Sequence, residues 1–386
     1  MHLRRLFSAY TILLLTACAF AQATNGKLQI HHIDVGQGDG AVLISPNGEV
    51  VLFDMGEDMK RRDCQGAVDY LDQLGVRQID YIFVSHYHFD HIGCIPAVLK
   101  KFPLVHNSFD RGQSYPGATY SAYVAAVGAK RKTATLGQEL DLDQGTADPV
   151  KLSVFVLDAT YKGGSITTNN ENDLSVAVLV SFDGFKEEIG GDLSGDKAND
   201  YQDIESPVAA AVGPIDVYKV HHHCSAYSTN EAWLKATQPT VAVISTGDGN
   251  AYFHPTADCL TRLHEADLQK IYWTEKGNGK DVEPTPPVDV VGGDISIEVA
   301  PKAKTFTVSY SNGATDTWPI KAPVGGGVMP AMAVVTTPKY AWSVRSQYYH
   351  EADCPAVKRI NKANLQTGNI PPPDKKPSSC VKTPAP

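Results

Sequence analysis

Short apolar runs, broken by glycine, proline and asparagine, dominate the chain, and their period changes along it. Residues 28–35, 41–45 and 50–54 are strand-like, joined by Gly36-Gln37-Gly38-Asp39-Gly40 and Pro46-Asn47-Gly48. Turn chemistry between such runs predicts a β-meander. Residues 66–74 repeat at helical spacing instead, with Ala67, Val68, Leu71 and Leu74 on one face and Gly75 as a natural stop. A strand over 79–84 then enters a polar stretch. It is followed by a helix over 95–100, a short strand over 104–106, a loop opening at Asp110-Arg111-Gly112, and a helical segment from Thr119 to Lys132. Residues 150–157 form a strand, 163–172 a polar loop, and 174–182 with 185–189 a hairpin around Asp183-Gly184. Strands at 217–220 and 241–245 alternate with helices over 230–236 and from His254 to about Ala266. Residues 277–293 are rich in glycine and proline and read as a linker. Runs at 295–299, 305–310 and 315–320 make a last β-hairpin extension, and 324–332 reads as flexible. This order predicts α/β or α+β, no finer.

With 386 residues, 42% hydrophobic and 20% charged, the chain is globular and long enough for one large domain or two ordinary ones. Arg4 and Arg5 precede an apolar run over 12–17 and then small residues, the pattern of an export signal too short to span a bilayer. Two processing routes fit. Ala19-Phe20-Ala21 is a cleavage site that would release a protein starting at Gln22. Leu15-Thr16-Ala17-Cys18 resembles a lipobox, in which Cys18 would carry a lipid anchor. Either way the protein is expected outside the cytoplasm, periplasmic or extracellular, and no other segment is a transmembrane candidate. The expected division is a signal peptide (1–21), a main domain (22–293), the hairpin (294–322), and a linker with a small cysteine-containing tail (323–386). Net charge is −9, and loss of Arg4 and Arg5 takes it to −11. That balance disfavours broad nucleic-acid binding, which depends on neutralising phosphates, but leaves room for a local groove. Six cysteines follow the signal: Cys64, Cys94, Cys224, Cys259, Cys354 and Cys380. An even number in an exported chain predicts disulfides.

The densest chemistry lies in Ser85-His86-Tyr87-His88-Phe89-Asp90-His91-Ile92-Gly93. His86, His88, Asp90 and His91 are imidazole and carboxylate ligands of the kind a borderline cation such as Zn²⁺ prefers, with Mn²⁺ or Fe also served. In an extended segment His86 and His88 point the same way and can reach one ion. Asp90 and His91 lie past the turn and can reach a second. Asp192 follows two glycines at the end of a strand. Three neighbouring histidines, His221, His222 and His223, cannot all face one site from a strand.

His86-Tyr87-His88-Phe89-Asp90-His91 resembles the signature of the metallo-β-lactamase superfamily. With His32 to Gly40, Gly191-Asp192, Lys219 to Ser225 and Phe253-His254-Pro255, the chain more narrowly resembles the secreted hydrolase domain of competence DNA-uptake channel proteins, the ComEC type. The resemblance implies a four-layer αβ/βα sandwich and two divalent ions, Zn²⁺ or Mn²⁺. It implies Asp192 as the bridging ligand, His222 as a metal ligand, His223 as a second ligand or transition-state donor, His221 off the site, and His254 as a donor to the substrate oxyanion. Asp39 would support the ligands from behind. Cys94 and Cys224 stand where the family motifs carry glycine, so both are expected near the metal loops, in disulfides or as buried thiols rather than as thiolate ligands. The usual third histidine of the first metal is missing: His106 comes too early, and its region reads Thr168-Asn169-Asn170-Glu171-Asn172-Asp173. An amide oxygen or water would complete that ion. The tail, with His350, Cys354, Lys358-Arg359-Ile360, Asn364-Leu365 and Cys380, resembles a small module of secreted nucleases and surface proteins, and Cys354–Cys380 is expected as a disulfide rather than a metal site.

Ions held this way lower the pKa of bound water toward neutrality. The leading expectation is an exported metal-dependent hydrolase of phosphodiesters, a nuclease being one form of it, with Asp90, His223 and His254 in the chemistry and an ester, nucleic acid among the candidates, as partner. The alternatives are a lactonase or small acyl-ester hydrolase, and a non-catalytic surface binding protein. Oligomeric state is not legible.

Overall fold

Alternation decides the architecture. Val150, Leu152 and Val154 are buried along one strand and Ile295, Ile297 and Val299 along another, and all six belong to one apolar layer between two sheets. The computed structural model describes residues 24–56, 64–310, 313–321, 340–343, 345–351, 354–360, 364–368, 372 and 375–380. The export segment, with Cys18 and Ala19-Phe20-Ala21, and the 324–332 stretch lie outside the described residues.

The first sheet is begun by β1 (Leu28–His32), β2 (Ala41–Ile44) and β3 (Val50–Phe53), an antiparallel meander. Helix α1 (Gln65–Gln73) leads to β4 (Ile79–Phe83), which pairs parallel with β3. After the histidine stretch come the short α2 (Phe89–Ile92), α3 (Ile95–Lys101), β5 (Leu104–Asp110), α4 (Ala118–Val127) and β6 (Arg131–Thr133). The second sheet takes β7 (Glu139–Leu142), β8 (Val150–Leu157), β9 (Thr160–Tyr161), β10 (Gly164–Ser165), β11 (Ala177–Phe182) and β12 (Phe185–Ile189). It continues through α5 (Glu205–Val212), β13 (Val217–Lys219), α6 (Glu231–Thr237), β14 (Val241–Ile244), α7 (Ala257–Glu265), β15 (Lys270–Trp273) and β16 (Asp289–Val291). The chain then returns to the first sheet: β17 (Ile295–Val299) pairs with β1, followed by β18 (Thr305–Tyr310) and β19 (Ala314–Pro319). A separate small sheet holds β20 (Tyr340–Ser343), β21 (Tyr348–Glu351), β22 (Leu365–Gly368) and β23 (Lys376–Pro377).

Three apolar layers make this a helix–sheet–sheet–helix sandwich of α/β class. Leu43, Phe53 and Phe83 of the first sheet meet Val178, Val180 and Tyr272 of the second between the sheets. Val68, Ile95 and Val127 cover the outer face of the first sheet, and Val208, Trp233 and Leu263 that of the second. Central strands such as β2, β3 and β14 are therefore buried on both faces, which explains their unbroken apolar sequences.

Two segments differ from the sequence pattern. The helix expected through Lys132 stops at Val127: Gly128 turns with φ +54, and Arg131 is drawn to Asp110, Nε to Oδ2 2.6 Å, at the edge of β5. The expected linker over 277–293 is part of the domain. Val282 is buried, β16 pairs parallel with β15, and Gly277 and Gly279 pass so close to His254 and Pro255 that a Cβ on either would meet a backbone oxygen at 2.4 or 2.0 Å. The apolar part of this segment is too short for any period to show.

All three disulfides join cysteines within one region of the fold. Cys64–Cys94 ties the start of α1 to the start of α3, and Cys224–Cys259 ties the histidine turn after β13 to α7. Cys354–Cys380 closes the small sheet's module, with His350 Nδ1 3.8 Å from Cys354 Sγ, so neither sulfur there offers a thiolate.

Opening Cys64–Cys94, whose cysteines are 30 residues apart, by Cys64→Ser with Cys94→Ser should cost about 3 kcal/mol, measured by denaturant unfolding. His31 is a second handle on stability. Burial, helped by His32 and opposed by Glu298, lowers its pKa from 6.5 to about 4, while Nδ1 lies 2.9 Å from the Tyr70 hydroxyl. The unfolded chain binds this proton more tightly than the fold does. The stability His31 contributes is therefore complete above pH 6.5 and is lost as pH falls toward 4. Unfolding free energy should drop across that window by up to about 3 kcal/mol, and His31→Gln should flatten the drop.

Candidate metal centre

The histidine stretch leaves β4 at the C-terminal edge of the first sheet, where parallel strands open onto loops. His86 and His88 are carried on extended backbone, and His88 then precedes α2, which turns Asp90 and His91 inward. Asp54, at the end of β3, locks the loop from behind. It accepts from Ser85 N (2.8 Å) and Ser85 Oγ (2.6 Å), and Oδ2 lies 2.8 Å from His91 Nδ1. The partner atom of His91 is thereby directed toward the cavity.

Asp192 arrives from the second sheet after β12. Gly191 has φ +58, and a Cβ there would lie 2.4 Å from Cβ of Ser85; one on Gly190 would lie 2.3 Å from His221 Nε2. Only glycine lets this strand end press so closely on the first loop. The Asp192 carboxylate then has two faces. Oδ1 lies 3.3 Å from His91 Nε2 and 3.5 Å from His223 Nε2. Oδ2 lies 3.8 Å from His86 Nε2 and 3.7 Å from His222 Nε2.

His222 and His223 reach these two faces because both are left-handed, with φ 50 and φ 52, so the alternation of a strand does not apply to them. His221 points away, between Glu205 (Nδ1 to Oε1 2.8 Å) and Glu188 (Nε2 to Oε1 3.2 Å), outside the cluster as expected. His223 Nε2 is also 3.5 Å from Asp90 Oδ2, and its Nδ1 sits 2.9 Å from the Ser245 carbonyl. Asp39 stands behind it, 3.3 Å from Nδ1, and is itself paired with buried Lys219 at 2.7 Å.

Two ligand groups result. Ligand atoms of His86, His88 and Asp192 lie within 4.8 Å of one another, as do those of Asp90, His91 and His223. Asn172 brings its amide to the first group, Nδ2 3.1 Å from His222 Nε2, while its Oδ1 is buried without a partner. His106 takes no part and stacks on Tyr81 at 4.9 Å. His254 lies at the rim, its ring 5.4 Å from His222 and 6.0 Å from His223, held by Asn250 Oδ1 accepting from its backbone N–H.

Electrostatics divide the cluster. Burial alone would raise Asp192, but His91, His223 and His222 hold it well below the usual carboxylate range. Burial lowers His91 and His223, yet the carboxylates win: Asp192, Asp54 and Asp90 raise His91, and Asp192 and Asp39 bring His223 to about 10. His222 and His254 stay neutral, at about 4 and about 3, chiefly through burial. The cluster therefore draws positive charge to the Asp90–His91–His223 side.

The residues fit divalent cations. His91 Nε2, His223 Nε2 and Asp192 Oδ1 are buried and converge without satisfying one another as hydrogen-bond partners. Two imidazole nitrogens and a carboxylate oxygen converging on one point form a donor set that suits a divalent cation. Cys94 and Cys224 are both in disulfides and offer no thiolate. Asp54 is the residue that sequence reasoning missed. A carboxylate ending an apolar strand is too common in sequence to single it out, and the structure places it there in a left-handed backbone conformation (φ 51).

Residues 39–164 match the profile of the Metallo-beta-lactamase superfamily. Over 255 residues the chain is 29% identical to Recombination protein 2 of Haemophilus influenzae, covering 66% of this chain and 28% of that protein. It is 24% identical over 271 residues to ComE operon protein 3 of Bacillus subtilis, covering 64% of this chain and 32% of the other. The chain thus spans about a third or less of the length of these curated relatives. Among solved structures, a subclass B3 metallo-β-lactamase from a soil metagenome library superposes on 51% of this chain and 78% of its own, with 13% identity and a TM-score of 0.34.

Equilibrated with Zn²⁺ or Mn²⁺ and freed of excess metal, the protein should retain about two ions per chain by elemental analysis. Asp192→Ala should retain at most one, since both faces lose an oxygen.

Proposed function

The chain belongs to the metallo-β-lactamase superfamily, with competence proteins among its relatives, and on that premise we propose that it is an exported metal-dependent hydrolase of phosphodiester bonds. The observation that carries this reading is the Asp192 carboxylate, with one oxygen turned to His91 and His223 and the other to His86 and His222. His86, His88 and Asp192 would hold one ion and Asp90, His91, His223 and Asp192 the other; His222 and the Asn172 amide stand where the first ion's set is short. Divalent ions bound there supply Lewis acidity toward water and toward a phosphoryl oxygen.

The chain's own residues do the rest. Asp54 fixes the tautomer of His91 by accepting from Nδ1, leaving Nε2 free to ligate. Asp39 and the Ser245 carbonyl do the same for His223. His254, neutral and at the rim, is poised to donate a hydrogen bond to the oxygen on which charge develops. Asp90 orients the attacking water and accepts its proton. A donor set of imidazole, carboxylate and amide, without thiolate, suits Zn²⁺ or Mn²⁺ and oxygen-rich substrates. Export is supported by the signal-like first 21 residues and by three disulfides. Among the described residues no helix is long and apolar enough to cross a membrane.

The metal-loaded protein should hydrolyse bis(p-nitrophenyl) phosphate. Asp90→Ala should abolish turnover, and Asp54→Ala, which reaches the centre through His91 and through Ser85 beside His86, should lower it by about 10- to 100-fold. Turnover confined to lactones or β-lactams would reject the phosphodiester reading.

A further inference from the structure

Aromatic side chains stand on three sides of the cluster. Next to His254 are Tyr252 and Phe253, 47% and 58% exposed, with the Tyr252 ring 6.0 Å from the His254 ring. Phe253 is held at φ +60, a costly conformation for an aromatic residue. The turn that imposes it is pinned: Asn250 Oδ1 accepts from the N–H groups of Tyr252 (3.2 Å) and His254 (3.0 Å), and Asn278 Nδ2 donates to the Asn250 carbonyl (2.8 Å). Beside His222, the half-buried Tyr201 lies 5.6 Å from the imidazole and stacks on Tyr227 at 4.8 Å. Beside His88, the Tyr115 ring lies at 6.0 Å.

Two cations near the cluster are already committed. Lys219 is paired with Asp39, and Arg111 with Glu171 and Asp158. With a net charge of −9, the chain is poorly equipped to hold a long nucleic-acid backbone by charge. Aromatic faces bind bases without that help, because every base has a π-face. A duplex has already spent those faces on its own stacking.

We propose that Tyr252 and Phe253 on one side, and Tyr201 with Tyr227 on the other, are stacking platforms for unpaired nucleobases flanking the scissile phosphodiester, so that the site takes single-stranded nucleic acid rather than duplex. This rests on the phosphodiester reading above and adds the recognition of the substrate to it.

The test is fluorescence anisotropy with the full-length protein stripped of metal, so that no strand is cut. The probes are a labelled single-stranded DNA of about ten nucleotides, an abasic strand of the same length, and the corresponding duplex. The base-bearing strand should bind about tenfold or more tighter than either competitor. Tyr252→Ala with Phe253→Ala should bring its affinity down to that of the abasic strand; if that variant proves unfolded by circular dichroism, Tyr201→Ala makes the same comparison. Equal binding of base-bearing and abasic strands, tighter binding of duplex, or no binding of any probe overturns the proposal. The bis(p-nitrophenyl) phosphate assay judges the hydrolase reading separately, since it contains no nucleobase and needs loaded metal.

Discussion

A buried carboxylate shared between two groups of imidazoles is the constraint on which the structure turns. Asp192 is almost wholly removed from water, and an ionised carboxylate in that position is very costly unless positive charge or donors surround it. The surroundings come from both sheets: His86 and His91 from the loop after β4, His222 and His223 from the turn after β13. Two glycines let the strand end approach, and two consecutive left-handed histidines turn neighbouring side chains toward opposite faces of one carboxylate. Moving either sheet edge relative to the other would leave that charge uncompensated, so the packing of the whole sandwich is read out at this point.

Behind the cluster lies a second tier of buried charge, each member assigned to a particular histidine. Asp54 serves His91, Asp39 with Lys219 serves His223, and Glu188 with Glu205 clamps His221. The last pair is instructive. His221 is not in the cluster, yet burial is overcome by the two glutamates and its pKa is raised to about 9, making a buried ion triad at the root of the histidine turn. Glu205 also accepts from Thr229 N (2.6 Å) and Asn230 N (2.7 Å), so the loop that follows is bound to the same anchor. Removing one partner of such a group costs more than forming it gains, which makes the backbone conformation of His222 and His223 hard to relax.

The sequence disclosed those parts of this arrangement that are local. The run from His86 to His91 is contiguous, and Gly190-Gly191-Asp192 carries its own turn chemistry, so both could be picked out without knowing the fold. Asp54 could not be, because its role exists only across the β3–β4 pairing, which brings it against Ser85 and His91 from more than thirty residues away. His221 is held away by Glu188 and Glu205, and the alternation rule gave no sign that His222 and His223 leave the strand conformation altogether. Segment 277–293 misled for a related reason: its glycines serve close approach to the His254 turn, and composition does not distinguish that use from a flexible connection. The helix expected to Lys132 ended early because Gly128 stops it in a positive-φ conformation, and beyond it Arg131 pairs with Asp110.

The disulfides follow from the same physics. The ligand loops bring imidazoles close together: His86 Nε2 and His88 Nδ1 share a hydrogen bond at 2.9 Å, and the His86 and His91 rings are 4.1 Å apart. The crosslinks sit beside these loops, with Cys224 immediately after His223 and Cys94 three residues after His91, each joined to a helix or its cap. Much of the disulfides' effect on stability acts on the unfolded chain, but their position has a consequence in the fold. They hold both ligand loops in their convergent geometry before any ion arrives, so that ion binding does not have to supply the free energy of ordering them. Glycine at positions 94 and 224 would leave that ordering to the metal, whereas cysteine in an oxidising compartment transfers it to the covalent frame.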